Sequence, residues 1–200
     1  MTGAVVALAL AAGDEASRRV AGELFPEAGL LAFGPADARP PAPLGGRLFE
    51  ALGRLTRGDC VGLVAPVLWC GPAGGAGPAA PLPPAPDALF ALGDHVNLEL
   101  RGPLTGRWPA GVPRDFPSMT GIYQPAVVRA RGGARVYSSG VVAAGVADAR
   151  RLTGFEARAV REGGFCIVSD LLVPVAIVAA YHGLKLAACG IPRGPARDRE

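Results

Sequence analysis

The chain has one lysine and two histidines in its 200 residues, and its four cysteines, Cys60, Cys70, Cys166 and Cys189, form no CxxC pair. Buried, reduced thiols are therefore expected in place of a zinc site. No apolar run reaches the roughly 18 residues that a membrane-spanning helix needs. The longest, Leu171 to Tyr181, is interrupted by Pro174 and suits a buried core element. No Lys or Arg precedes the apolar stretch from Ala4 to Ala12, which argues against a secretory signal and for a cytoplasmic location. Charge of one sign is also missing: 20 basic residues face 17 acidic ones, scattered along the chain, for a net +3. Nucleic acid is thereby excluded as an expected partner, and so is a membrane.

Half of the residues are hydrophobic, enough to fill the core of one domain. Gly 29 and Pro 20 would suggest low complexity if they were spread evenly. They concentrate instead from Gly34 to Gly46 and from Gly71 to Pro86, which reads as two long loops. A single domain over residues 1–192 with a polar tail at 193–200 is the expected organisation.

Apolar runs and helical spacings alternate along the chain. Strands are predicted at Ala4–Leu10, Leu30–Phe33, Cys60–Leu68, Ala88–Leu92, Phe165–Ser169 and Leu184–Cys189. Helices are predicted at Asp14–Leu24, Arg47–Leu55, Ala143–Leu152 and Pro174–His182. A hairpin is predicted across Gly132 and Gly133, joining Val127–Arg131 to Ala134–Ser138. The alternation implies an α/β fold with a mixed, largely parallel central sheet flanked by helices.

Asp94, His95 and Asn97 stand just beyond the predicted strand Ala88–Leu92, where ligands of α/β sheets bind. The same residues also make an ordinary polar turn, since Asp and Asn side chains satisfy local backbone groups. Asp170 reads either as a catalytic carboxylate or as a cap for the following helix. His182, in an apolar helix, reads as a core or interface histidine. Trp69 and Trp108 read as packing or interface residues.

The order Gly93-Asp94-His95-Val96-Asn97-Leu98, Gly102-Pro103-Leu104-Thr105-Gly106, then Arg114, Phe116-Pro117, Met119-Thr120 and Tyr123 resembles a distinctive stretch of the trimeric purine nucleoside phosphorylases. Val173-Pro174, Ile177-Val178-Ala179 and Gly183-Leu184 are similar to the family's C-terminal helix, and Pro72-Ala73-Gly74-Gly75 to its glycine loop. The resemblance spans about residues 45 to 192. It implies phosphorolysis of a purine nucleoside to free base and ribose 1-phosphate, with phosphate as co-substrate, no cofactor and no metal. It implies His95 and Asp170 at the reacting centre, and His95, Asn97, Gly74 and Gly75 around phosphate or sugar. Phe116, Tyr123 and Arg193 would line the pocket of the same or a neighbouring subunit in a homotrimer.

The chain departs from the family pattern at several positions. Gly93 stands where the family has a phosphate-binding Arg, and Ala11-Ala12-Gly13-Asp14 where it has a Gly-Ser-Gly loop. Asp170 and Leu171 replace a Met-Ser pair, Ala143-Ala144-Gly145 lie where a base-binding Glu is expected, and Ile191-Pro192 precede Arg193 where Thr-Asn would stand. Three readings stay open on these residues: a phosphorylase, a phosphate-independent nucleoside hydrolase, and a family member without catalysis that serves as a binding or assembly subunit beside an active paralogue.

Overall fold

Cys60–Trp69, a continuous apolar run, forms strand β3, and residues 61 to 65 are fully buried on both faces as an inner parallel strand requires. One edge of β3 pairs in parallel with β9, Lys185–Pro195, from Cys60 opposite Lys185 to Val67 opposite Pro192. Its other edge is shared: β1, Val6–Leu10, runs parallel beside Val61–Val64, and β8, Ile167–Ser169, runs antiparallel beside Leu68 and Trp69. The computed structural model describes residues 6–10, 14–33, 47–71, 87–99, 102–104, 113, 115–129 and 134–195. The other described strands are β2, Gly29–Phe33, β4, Ala88–Ala91, β5, Asp94–Asn97, β6, Arg135–Tyr137, and β7, Val142–Gly145.

The sheet order is β5-β7-β8-β3-β9-β4-β6, with β1 and β2 branching from β3. Only Leu92 and Gly93 separate β4 from β5, and they extend both ladders: Leu92 N–H donates to Ala188 and Gly93 N–H to Val141. The chain therefore closes a ring of pairings through β3, β8, β7, β5, β4 and β9. Six of the eight strand pairings among the described residues are parallel, in line with the expected mixed, largely parallel sheet.

Four described helices flank the strands: α1, Glu15–Leu24, α2, Arg47–Gly53, α3, Gly154–Glu162, and α4, Leu172–Tyr181. Alternate residues of β3 serve different layers, as a strand's two-residue period dictates. Val61, Leu63, Ala65 and Val67 pack with Leu48 and Leu52 of α2 and with Val175, Val178 and Ala179 of α4. Cys60 and Val64 pack with Ala21 and Leu24 of α1, with Phe25, and with Ala187 and Cys189 of β9. All four cysteines are buried free thiols. Among the described residues, no helix is long and apolar enough to cross a membrane.

Helix α4 starts at Leu172, earlier than predicted, because Pro174 falls in the first turn, where a missing N–H costs nothing. The Ser169 hydroxyl oxygen accepts from the N–H groups of Leu171 (3.1 Å), the N-cap residue, and Leu172 (3.0 Å), the first residue of the helix.

Four other expectations are corrected. The polar cluster Asp94–Asn97 is a strand, formed because its backbone pairs with β7 from Asp94 opposite Val142 to Asn97 opposite Gly145. The helix predicted at Ala143–Leu152 is strand β7 followed by a 3-10 turn at Ala149–Arg151; pairing on both edges, with β5 and β8, overrides the helix propensity of its alanines. The described part of the predicted hairpin differs from it: Pro125–Val127 is a 3-10 turn and β6 pairs in parallel with β4, while residues 130–133 lie outside the described residues. Helix α3 was not anticipated, and β9 continues past the predicted end at Cys189 to Pro195, so Arg193 lies within a strand. Gly74, Gly75, Arg114, Trp108 and the two predicted Gly/Pro-rich loops, residues 34–46 and 72–86, lie outside the described residues.

Candidate functional site

Strands β5, β7 and β8 run parallel, and Asn97, Gly145 and Ser169 form one row across them. Their carboxyl ends therefore point the same way, delivering Leu98, Val146 and Asp170 to one edge of the sheet. A cavity of about 830 Å³ opens immediately outside the ends of β5 and β7. Leu98, Val146, Leu152 and Phe165 supply apolar walls, and Glu99, Asp148, Arg151 and Glu156 supply polar groups. Crevices outside the carboxyl ends of parallel strands are where α/β sheets bind ligands, and apolar walls with a few polar groups suit a small flat molecule.

The turn at Ala149–Arg151 shapes one wall. Asp148 accepts from the N–H of Arg150 at 3.0 Å and faces the Arg151 guanidinium at 3.8 Å. Helix α3 forms another wall and starts with a reciprocal cap: Glu156 accepts from the Thr153 N–H, and the Thr153 hydroxyl accepts from the Glu156 N–H. Leu98 is 48% exposed, a leucine left in contact with water at the cavity mouth.

Upstream on β5, His95 is half-buried, and its Nδ1 lies 2.8 Å from the hydroxyl of Tyr123. The rings meet edge to face at 5.6 Å. Tyr123 is placed by β9, because Leu186 donates to Ile122 at 2.8 Å and accepts from Gln124 at 2.7 Å. Burial pushes His95 below the ordinary imidazole value, and the neighbouring Asp94 charge opposes part of that shift. Burial, and then Asp94, pushes the Tyr123 phenol well above its ordinary value, so it stays protonated. Both side chains are therefore neutral near pH 7. His95 is not among the described residues lining the cavity.

Asn97 shares the His95 face of β5, two residues on, and its side-chain Oδ1 accepts from the Glu99 N–H at 3.0 Å. The turn chemistry read from the polar cluster thus operates at its end. Asp170 follows β8 two strands away, about 10 Å at ordinary strand spacing. Tyr123 is 8% exposed, and its hydroxyl meets His95 of the same chain. Phe116 is 77% exposed and lines a separate cleft of about 520 Å³ with Arg57, Tyr181 and Lys185. Arg193 grips both carboxylate oxygens of Asp14, and Ser17 donates to the same carboxylate. Burial alone would raise the Asp14 carboxyl; the Ser17 and Arg193 contacts outweigh it and hold it below its usual value. The structure thus joins His95 with Tyr123, and Arg193 with Asp14, as two separate pairs.

No protein-family model matches the chain, and no curated protein matches it. Among 139 matching chains of solved structures is the purine nucleoside phosphorylase of Schistosoma mansoni, complexed with a novel monocyclic inhibitor. The two superimpose with a TM-score of 0.52 at 15% identity, over 70% of this chain and 52% of that one. The chain has a nucleoside phosphorylase-like fold. It spans about half the length of the enzyme it matches.

Within this nucleoside phosphorylase-like fold, the cavity walls at Val146, Asp148, Arg151 and Leu152 were not singled out from the sequence, because the segment was read as a helix. Two signals pointed to them. Leu98 closes the Asp-His-Val-Asn-Leu block, and Thr153-x-x-Glu156 is a capping box that fixes where α3 begins.

Proposed function

We propose that the chain binds a purine nucleoside at the carboxyl ends of β5, β7 and β8 and cleaves it with inorganic phosphate to the free base and ribose 1-phosphate. The observation that carries this reading is the cavity of about 830 Å³ directly outside β5 and β7 in a nucleoside phosphorylase-like fold. The base enters between Leu98, Val146 and Leu152, with Asp148 and Arg151 within the same walls to meet its polar edge. In the reaction a phosphate oxygen bonds to the anomeric carbon while the glycosidic C–N bond breaks. The bonding pair leaves with the base, which takes up a proton. His95 donates a hydrogen bond to a sugar or phosphate oxygen, Asn97 adds to that pocket, and Asp170 stands at the edge beside the sugar. Such fixed donors act on charge that develops in the transition state. Phe116, with its ring largely in water, reaches a neighbouring subunit in a homotrimer.

A second reading is favoured by the Asp14–Arg193 pair. The carboxylate neutralises the guanidinium that would otherwise attract phosphate, which suits a protein that binds a nucleoside without phosphorolysis, or attacks it with water.

Incubation with inosine, guanosine and adenosine, with and without phosphate, separates these cases by chromatography of the released base. Phosphate-dependent release supports the proposal, phosphate-independent release makes the protein a hydrolase, and binding without release makes it a binding subunit. Neither binding nor release overturns the nucleoside assignment. Light scattering tests the trimer, which a monomer would refute.

A further inference from the structure

We infer that Tyr123 fixes His95 as the neutral tautomer carrying its proton on Nε2, making His95 an uncharged hydrogen-bond donor that selects an acceptor oxygen on the ligand. The inference rests on the proposal that His95 contacts the nucleoside or phosphate. It follows from counting protons. The hydroxyl of Tyr123, a residue that is 8% exposed, has one proton to donate and has Nδ1 of His95 at 2.8 Å as its partner among the described residues. If Nδ1 carried a proton and donated it to the phenol oxygen, the phenolic proton would be a buried donor with no acceptor, an arrangement folded proteins avoid. A doubly protonated imidazole creates the same orphan and adds a charge that burial opposes. Asp94, whose charge reaches the phenol, accepts the backbone N–H of His95 at 2.8 Å and makes no hydrogen bond to the phenol.

With Nδ1 engaged as an acceptor, the proton must sit on Nε2. Among the described residues, Nε2 meets no hydrogen-bond partner. Its donor is free for a ligand, and a hydroxyl, carbonyl or phosphate oxygen can take it without a change of protonation. Tyr123 is a positioning residue: it acts on the ligand through His95.

Long-range proton–nitrogen NMR on the ligand-free, nitrogen-15-labelled protein reads the tautomer directly. The expected pattern is an unprotonated Nδ1 and a protonated Nε2; a protonated Nδ1 overturns the inference. Tyr123→Phe keeps the buried ring and removes the proton, so His95 should shift to a mixture of tautomers, and an unchanged pattern refutes the role of Tyr123. His95→Gln places an amide donor near the Nε2 position and should retain inosine affinity within a few-fold, whereas His95→Asn, whose donor lies near Nδ1, should lose at least tenfold. Equal affinities for the two variants overturn the selection. The NMR arm needs no ligand. An Nε2–H tautomer without inosine binding sinks the nucleoside reading alone, and inosine binding with an Nδ1–H tautomer sinks this inference alone.

Discussion

Gly145 is the last residue of β7 and sits between β5 and β8, with Val173 of α4 pressed against its backbone. A Cβ at residue 145 would meet Val173 Cβ at 2.7 Å, Cγ2 at 2.8 Å and Cγ1 at 2.9 Å. Carbon atoms rest at about 3.5–4.0 Å, so Gly145→Ala demands a displacement of about 1 Å. Val173 has no easy way to yield. It is fully buried, its χ1 is stiff because the side chain branches at Cβ, and the nearest contact is the Cβ itself, which no rotamer moves. Overpacking of this kind costs about 1–3 kcal/mol. With a urea slope of about 2 kcal/mol/M, the midpoint should fall by about 0.5–1.5 M. Because Gly145 lies opposite both Asn97 and Ser169, the shift should also reach the His95 strand and appear in its amide spectrum. A variant with the wild-type midpoint and an unchanged His95 signal would show that α4 does not press on β7 as described.

Gly22→Ala provides the opposite case: it lies on the exposed face of α1 with nothing within 4 Å of a new Cβ, so helix propensity should raise stability by about 0.5–1 kcal/mol in the same urea assay. Ser169→Ala leaves the Leu171 and Leu172 N–H groups without their acceptor inside a buried turn and should cost about 1–2 kcal/mol; no loss would show that the Ser169 hydroxyl does not support the start of α4. His182 packs edge to face on Phe49, and its Nε2 is buried without a partner. Burial lowers its proton affinity, with a backbone hydrogen bond to Phe49 opposing in part. A folded-state value below the unfolded one means that stability is fully present above about pH 6.5 and is lost as pH falls from there through the folded value. The urea midpoint should therefore drop between pH 7 and pH 5, and His182→Leu should flatten that drop; a midpoint that rises on acidification would reverse the sign of the argument.

The legible parts of the fold were those whose signal is local. Cys60–Trp69 announces an inner strand by being apolar on every residue, and α1 announces itself by spacing its apolar side chains. Strand β5 hides because Asp94, His95 and Asn97 look like a turn; it exists because β7 offers it a parallel ladder, a partner nearly fifty residues away. Strand β7 hides for the converse reason, since Val142-Ala143-Ala144-Gly145 has a helical composition and becomes a strand only between two others. The site divides in the same way. His95 and Tyr123, 28 residues apart, were each singled out by their motif, but their hydrogen bond is made by the approach of Leu186 on β9 to Ile122 and Gln124. The cavity walls at Val146 and Leu152 were lost with the misread helix. Arg193 was expected in a tail and instead lies in β9, which carries it to Asp14, a pairing across 179 residues that no local pattern encodes.

The central claim is that a purine nucleoside occupies the cavity outside β5 and β7, and calorimetric titration of inosine into the wild-type protein and Leu98→Asp tests it most directly. Leu98 is half-exposed at the mouth, so the fold should survive the change, while a carboxylate replaces an apolar wall. The account predicts saturable one-site binding to the wild type and affinity at least about tenfold weaker in the variant, equivalent to about 1.4 kcal/mol. Equal affinity in both proteins, or no binding to the wild type, would contradict it.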